Sequence, residues 1–212
     1  MEFKEYKIDN FLEDLASDLA SPGGGSVAGL VSALAASLNS MVYSLTVNKK
    51  SFEKQDIEVQ KTVLDFKEAS SKFIKRAMIL MENDREYFNK LMDCYKLPKD
   101  TEEEKAKRQK EIAEKTLGAM KAPYDLAKES YEFYDNIDIA VKYGNKMLLS
   151  DASCAAILLN AAIECAIVNV RINLASIKNE SYVNKIEEEL KNIEKLSIER
   201  KQKIQENINK AY

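Results

Sequence analysis

Hydrophobic and polar residues divide the chain into two kinds of segment. Residues 27–47 and 150–174 are rich in Ala, Leu, Val and Ile, and the first of these stretches carries no charged side chain. Elsewhere apolar residues recur every three or four positions among many charged ones, which is typical of amphipathic helices on the outside of a bundle. The pattern predicts a helical protein with two apolar helices at its centre.

The two apolar stretches are long enough to be considered as membrane spans. Against that interpretation, the first contains Ser32, Asn39 and further small polar residues, and the second contains Glu164 near its middle. Small residues at close intervals also let neighbouring helices approach closely. We therefore expect both helices to be buried nearly all round, at the centre of the fold or of a dimer interface, without a membrane partner.

Amphipathic helices are expected on both sides of the first apolar stretch. The helix before it ends ahead of Ser21 and has an apolar stripe formed by Ile8, Phe11, Leu12, Leu15 and Leu19. The helix after it runs from about residue 52 to residue 95, where the LPKD turn at residues 97–100 stops it. A further helix begins after Thr101, because Glu104 three residues on completes a capping box.

Pro123 is expected to break or kink that third charged helix, since proline cannot donate the helical hydrogen bond. A loop is predicted around Gly144, and a last amphipathic helix spans residues 181–212, with a stripe of Ile186, Leu190, Ile193 and Leu196. No β-type alternation and no internal repeat are present. The sequence predicts an all-α fold, residues 1–212 forming a single-domain bundle of long helices around two buried Ala/Ser-rich helices, which dimerises.

Composition excludes several classes of function. The chain has 212 residues and a formal net charge of −3, so nucleic acid is not an expected partner. It contains no histidine, which removes the commonest general base and metal ligand. The N-terminal residues are charged, which is unlike a signal peptide, and the three cysteines lack metal-ligand spacing. We expect buried thiols, no metal site and a cytoplasmic location.

The stretch Ser21-Pro22-Gly23-Gly24-Gly25-Ser26 holds half of the six glycines. Ser26 is a candidate N-cap for the following helix, and the glycines allow a ligand to approach backbone N–H groups at a positive helix end. The motif lacks the Gly-Lys-Ser/Thr ending of a phosphate-binding loop. Two interpretations stay open at this point: a binding site for an electron-rich group formed by residues 23–26, or a sharp turn between helices.

Several stretches resemble, in order and spacing, the cyclodeaminase/cyclohydrolase family of folate enzymes. They are the segment from Phe11 through SPGGGS to the lysines at 49 and 50, DREYF at residues 84–88, LPKDTEEEK at 97–105, the pair Ala122-Pro123, GN followed by SDA at 144–152, and NVRINL at 169–174. Together they cover nearly the whole chain. Departures such as Asn48, Cys154 and Asn160 concern loop shape and packing.

The resemblance implies an all-helical domain, a homodimer at least, and a tetrahydrofolate substrate that carries a one-carbon unit. The methenyl form of this substrate has a cationic amidinium carbon, so water attack needs a proton acceptor but no metal or resident cofactor. A carboxylate can balance the cation and accept the proton, as general base catalysis requires. A chain without histidine can supply that group.

The resemblance points to Asp84 and Asp151 as catalytic residues. Asp84 matches the acidic position of the family's Asp-x-x-x-Phe motif, and Asp151 either takes part in proton transfer or caps the late apolar helix. Lys49 and Lys50 are candidates to bind the glutamate tail of a folate, and Asn145 is a candidate to bind its pterin ring. The glycines and Ser26 complete the predicted substrate site.

Two enzymatic functions and one other stay open from the sequence. The first is methenyltetrahydrofolate cyclohydrolase and the second is formimidoyltetrahydrofolate cyclodeaminase, which share an amidinium-like carbon. The lack of a fused transferase domain favours the first. The third is a non-catalytic helical interaction module. Arg171 is predicted to have a structural role, pairing with a buried acid such as Glu164.

Overall fold

A computed structural model describes residues 2–210, and within this range the chain forms helices and turns without a β-strand. Two short 3₁₀ turns occur at Phe3–Glu5 and Lys146–Leu148. The α-helices are α1 (Ile8–Leu15), α2 (Gly24–Val47), α3 (Ile57–Tyr95), α4 (Glu102–Glu132), α5 (Tyr134–Tyr143), α6 (Leu149–Leu174) and α7 (Glu180–Asn209). The prediction of an all-α fold is confirmed.

The two apolar helices, α2 and α6, pack against each other in opposite directions. At one end the amide group of Asn169 on α6 lies beside Gly24, at the start of α2. At the other end the backbone N–H of Asn145, just before α6, donates to the Thr46 hydroxyl near the end of α2 at 2.8 Å. The N-terminal end of α2 is therefore the C-terminal end of α6.

Helices α3 and α4 complete a bundle with this central pair, and α7 packs on α6. The close approach of α2 to α3 depends on Gly29, because a Cβ atom there would lie 2.7 Å from Cβ of Met81. Polar contacts also cross the core: Ser32 bonds Ser130 at 3.0 Å, and the Asn39 amide donates to Asn136 at 2.8 Å. Such paired groups fix how the helices are rotated against one another.

Most predicted helix limits are close to those observed, and the capping box of α4 is confirmed. The Glu104 backbone N–H donates to the Thr101 hydroxyl at 3.2 Å, and the Thr101 N–H donates to the Glu104 carboxylate at 3.0 Å. Two local predictions need correction. Pro123 lies inside α4, so the expected break is wrong, while a kink there stays a prediction. The loop predicted over residues 141–151 is reduced to Gly144, Asn145 and a 3₁₀ turn, since α5 continues to Tyr143 and α6 begins at Leu149.

The first helix is also shorter than its apolar stripe. It ends at Leu15, while Leu19 follows it and is exposed. Of the stripe residues only Phe11 is fully buried, where it packs beside Phe3 and Met81 in a small apolar cluster. The periodicity of residues 8–19 thus predicted the helix but overstated both its length and its burial.

The prediction that α2 and α6 are buried nearly all round is wrong within one chain. By length and composition, α2 and the segment Lys146–Leu174 could each cross a membrane. In the fold, however, only 44% of the most apolar 18-residue stretch of α2 and 50% of that of the second segment are buried. The remaining faces of these two packed helices are exposed. We call them together the α2–α6 strip; its large apolar members are Leu34, Met41, Leu45, Ile157, Val168 and Ile172.

Further predictions about single residues change with the fold. Cys94 is buried as expected, but Cys154 and Cys165 are exposed. Arg171 does not pair with Glu164; it forms ion pairs with two carboxylates of α7, Glu187 and Glu194, each at 3.0 Å. Its structural role is as predicted, but its partners are not.

Candidate active site

A cavity of about 340 Å³ opens at the start of α2, where the glycine run meets α3, α4 and α6. This volume lies in the range of small-molecule sites. The lining residues are Ala20, Ser21, Gly23, Gly24, Gly25, Ser26, Asp84, Arg85, Phe88, Leu91, Met92, Tyr95, Thr116, Ala119, Asn169, Ile172, Asn173 and Ser176. All four residues of the predicted glycine site and Asp84 therefore line one cavity.

The glycine run forms the start of α2 rather than a loop before it. Gly23 is the N-cap, with φ −140° and ψ −163°, and the helix begins at Gly24. The prediction of Ser26 as N-cap is wrong, because Ser26 is already inside the first turn and is buried. No glycine of residues 2–210 has a positive φ. Gly25 is therefore needed here for space and not for unusual backbone angles.

Gly25 provides the space for Asp84. A Cβ atom added at Gly25 would lie 2.3 Å from both carboxylate oxygens of Asp84, far inside van der Waals contact. The close packing of Gly29 against Met81, one turn further along α2, holds α3 at the distance that brings Asp84 to this position. The third glycine of the run thus lets an α3 carboxylate lie directly against the first turn of α2.

Burial raises the pKa of the Asp84 carboxyl from 3.8 to about 6, and the neighbouring Ser26 hydroxyl partly offsets this rise. Among the residues described, Asp84 is the one acidic side chain in the cavity lining. The raised pKa therefore comes from removal of water and not from a second carboxylate. Such a group is ionised at pH 7 yet accepts and returns a proton more readily than an exposed aspartate.

Two carboxamides of α6, Asn169 and Asn173, face the cavity and were not predicted as site residues. They are four positions apart, so they lie on one face of the helix. Each donates its NH₂ group to a backbone carbonyl one turn earlier, Asn169 to Cys165 at 2.8 Å and Asn173 to Asn169 at 2.9 Å. Their carbonyl oxygens are left as acceptors for a ligand. The sequence signal was this i, i+4 spacing within a segment otherwise interpreted as core.

The rest of the wall is mostly apolar or aromatic. Phe88, Leu91, Met92 and Tyr95 follow one another along α3 on the side of Asp84. Arg85 adds a cationic group, and its guanidinium lies 4.6 Å from the centre of the Phe3 ring. A flat, partly aromatic ligand with one polar edge fits such a lining.

The structure places Lys49, Lys50, Asn145 and Asp151 at the other end of the central pair. Asp151 is in the first turn of α6 and Asn169 is 18 positions further on, which is about 27 Å along a helix. Lys49 and Asn145 line a second cavity of about 450 Å³ with Thr46, Phe52, Lys142 and Lys146. Within one chain these four predicted residues are separate from the Asp84 cavity, and their roles stay predictions.

No group of three His, Cys, Asp or Glu side chains suited to a metal ion occurs in the described part of the chain. The fold and the cavity define an all-helical protein whose candidate small-molecule site is built around one carboxylate and the glycine-rich start of a helix.

Comparison with known proteins identifies the family. The family described as formiminotransferase-cyclodeaminase matches residues 7–192. The chain belongs to this family, as the resemblance of its motifs predicted.

Individual relatives cover the chain almost fully. A methenyltetrahydrofolate cyclohydrolase of Methylorubrum extorquens is 33% identical over 192 residues, 91% of this chain and 89% of that protein. The formimidoyltransferase-cyclodeaminase of Mus musculus is 30% identical over 178 residues, and the match covers 84% of this chain but 32% of the mouse protein. A crystal structure of formiminotetrahydrofolate cyclodeaminase from Thermotoga maritima superposes with a TM-score of 0.74 at 29% identity, covering 98% of each chain.

Proposed function

We propose that the chain is a methenyltetrahydrofolate cyclohydrolase, which hydrolyses 5,10-methenyltetrahydrofolate to 10-formyltetrahydrofolate. The observation that carries the proposal is the Asp84 carboxylate with a pKa of about 6 inside a cavity of ligand size. The cyclohydrolase of M. extorquens, similar over 91% of this chain, supports the choice of reaction.

The cavity has groups for each part of a methenyl folate. The apolar and aromatic wall from Phe88 to Tyr95 suits the pterin and its attached aromatic ring. The carbonyl oxygens of Asn169 and Asn173 are acceptors for the N–H donors of the pterin edge. The Asp84 carboxylate would balance the positive amidinium carbon.

Asp84 can serve first as base and then as acid. A water molecule attacks the bridging carbon while Asp84 takes one of its protons, and a neutral tetrahedral adduct forms. The bond from that carbon to N5 then breaks, Asp84 returns its proton to N5, and the remaining hydroxyl proton passes to solvent as the formyl group forms. Overall one cation and one water give one neutral product and one proton. A carboxyl with a pKa near 6 is suited to both transfers.

The second candidate is formimidoyltetrahydrofolate cyclodeaminase. The T. maritima cyclodeaminase, which matches 98% of this chain, favours it. Here N10 of the folate attacks the carbon of the protonated formimino group while Asp84 takes the N10 proton, and a neutral adduct with an NH₂ group forms. Asp84 then returns the proton to that nitrogen, which leaves as ammonia as the methenyl cation forms. Both reactions pass through a carbon bonded to three heteroatoms next to Asp84, so the cavity serves either.

We also propose a homodimer joined by the α2–α6 strip, in a cytoplasmic protein without a resident metal or cofactor and without a nucleic-acid or membrane partner. The strip supports the dimer because large apolar residues are exposed on both of the two packed helices, including Leu34 at 49% and Val168 at 54%. The reaction itself needs no metal, since the methenyl carbon is already electrophilic.

The deciding experiment assays the purified protein with methenyltetrahydrofolate and formimidoyltetrahydrofolate side by side. We expect turnover of the methenyl substrate above its uncatalysed hydrolysis. Ammonia release from the formimidoyl substrate alone would favour the second candidate. No turnover of either, together with no thermal stabilisation by reduced folates, would support a non-catalytic helical module.

A further inference from the structure

Two side chains of opposite charge that are neighbours in the sequence, Asp84 and Arg85, line the same cavity. An arginine side chain is long enough to turn back toward a carboxylate one position away, and an ion pair between the two would neutralise the acidic group of the cavity. The structure instead pairs the Arg85 guanidinium with the Glu82 carboxylate, at 3.7 Å. Arg85 is also not among the groups that shift the pKa of Asp84.

The pairing with Glu82 directs Arg85 away from Asp84. Glu82 is two positions before Asp84 on α3, which is about 200° around the helix, so the two carboxylates lie on nearly opposite sides of it. Arg85 is three positions after Glu82, the spacing at which helical side chains contact each other. The ion pair therefore draws the guanidinium toward the side of α3 that does not carry Asp84.

The N-terminal turn at Phe3–Glu5 contacts both members of this ion pair. The ring of Phe3 lies 4.6 Å from the Arg85 guanidinium, which is a cation–π contact, and the Lys4 backbone N–H donates to the Glu82 carboxylate at 3.2 Å. Phe3 is itself fixed, because it is only 5% exposed and packs edge to face against Phe11 at 5.4 Å. The turn thus holds the Arg85 side chain from outside the cavity.

We infer that Phe3 is a positioning residue of the candidate site: with Glu82 it holds the Arg85 guanidinium away from Asp84, so that the Asp84 carboxylate stays available to the substrate. Phe3 does not line the cavity and acts through Arg85. A carboxylate already paired with a guanidinium would be a weaker base and would attract the cationic methenyl group less. This inference rests on the proposed function for the role of Asp84 as base.

Within residues 2–210, Arg85 is the one cation of the cavity lining. The lining residues from the elements packed around Asp84 are uncharged: Gly23, Gly24, Gly25 and Ser26 at the start of α2, Thr116 and Ala119 of α4, and Asn169 and Asn173 of α6. Tyr95 is the other titratable group and lies about three turns further along α3. In the N-terminal segment Glu2 and Lys4 pair with each other, and the Glu5 carboxylate accepts from the Glu2 N–H. The position of Arg85 therefore decides whether a positive charge lies beside Asp84.

The pKa of Asp84 in the ligand-free protein tests the inference directly. It is followed by carbon-13 NMR of protein labelled at the aspartate carboxyl carbons, and the signal of Asp84 is assigned by its absence from the Asp84→Asn variant. Phe3→Leu keeps an apolar side chain in the cluster but removes the ring that faces the guanidinium. We expect the pKa of Asp84 to fall by about one unit or more in this variant, because an opposite charge nearby favours the ionised form.

A second substitution, Arg85→Met, separates this cause from a general loosening of the cavity. Loosening would admit water and lower the pKa of Asp84 whether or not position 85 is charged. If Arg85 is the cause, adding Phe3→Leu to Arg85→Met should leave the pKa of Asp84 as it is in Arg85→Met alone. The matched control is Phe11→Leu, which removes another buried ring of the same cluster and should not change the pKa of Asp84.

Glu82→Gln tests the same point without altering the aromatic cluster, and it decides the matter if Phe3→Leu does not fold. The amide still accepts from the Lys4 N–H but no longer attracts the guanidinium by its charge. We expect the pKa of Asp84 to fall in this variant as well, and to fall much less when Arg85→Met is also present.

In turnover assays, kcat/KM of Phe3→Leu for methenyltetrahydrofolate should begin to fall at a pH about one unit lower than in wild type. An unchanged or higher pKa of Asp84 in Phe3→Leu would overturn the inference, as would a decrease that persists in the Arg85→Met background. The NMR titration needs no substrate, so these results do not depend on the proposed function. The expected pKa changes in a protein that turned over neither folate would contradict the proposed function alone.

Discussion

Replacing Asp84 with asparagine should remove catalysis while making the protein more stable at neutral pH. The amide has nearly the size of the carboxylate but cannot accept a proton or carry charge. If Asp84 is the base, kcat should fall by roughly 100-fold or more, which corresponds to about 3 kcal/mol of transition-state stabilisation. The measurement is initial turnover of methenyltetrahydrofolate followed spectrophotometrically, after subtraction of the uncatalysed rate.

The stability effect follows from the raised pKa. The folded state holds a proton on Asp84 up to a pH of about 6, while the unfolded chain releases it near 3.8. The free energy of unfolding therefore decreases as the pH rises from about 4 to about 6 and stays at the lower value above that. A shift of two pKa units corresponds to about 3 kcal/mol, which solvent at the open mouth of the cavity should reduce to about 1–2 kcal/mol. A neutral amide avoids the burial of a charge, so the Asp84→Asn variant should have a higher free energy of unfolding than wild type at pH 7.5. Near pH 3.5, where the wild-type carboxyl is protonated, this difference should disappear.

Chemical denaturation of both proteins at the two pH values measures this difference. The wild-type kcat/KM should also fall as the pH decreases through about 6, because the base becomes protonated. Normal turnover by the variant would remove the catalytic assignment of Asp84. If the inactive variant were less stable than wild type at pH 7.5, the ionised carboxylate would stabilise the folded state. That result would contradict the expectation that its burial lowers the free energy of unfolding.

Three further substitutions, with Gly23→Ala as a control, test two neighbours of the Asp84 site and the ion pairs of Arg171. Gly25→Ala adds a Cβ atom 2.3 Å from the carboxylate and should lower kcat at least about tenfold by displacing it, whereas Gly23→Ala, with no atom within 4 Å of the added Cβ, should keep near-normal turnover. Asn169→Ala should raise KM by about fivefold, the value of one hydrogen bond, with little change in kcat or melting temperature; a lower kcat at unchanged KM would contradict a binding role. Arg171→Met should lower the free energy of unfolding by about 1–2 kcal/mol through loss of its α7 ion pairs, and a parallel loss of kcat would argue against a purely structural role.

The helices and the family could be predicted from sequence because both depend on local signals. Apolar spacing of three and four residues, the box from Thr101 to Glu104 and the LPKD turn act within a few positions of the chain, and the structure reproduces them. The motif that contains Asp84 was likewise visible as a short string of residues. Even so, apolar spacing overstated the length of the first helix, since Leu19 has helical spacing but is exposed and lies beyond the end of α1.

Only the tertiary structure decided which residues meet. The role of the glycine run depends on Asp84, which is about 60 positions away in the sequence. Helix α3 passes the start of α2 so closely that a Cβ atom at Gly25 would overlap the Asp84 carboxylate. The partners of Arg171 lie on α7, which periodicity cannot show. The distance of Lys49 from the cavity, by contrast, follows from the helix predicted over residues 27–47, although the resemblance placed both in one site. Burial, and with it the raised pKa of Asp84, depends on how helices distant in sequence exclude water, whereas helix formation depends on near neighbours in the chain.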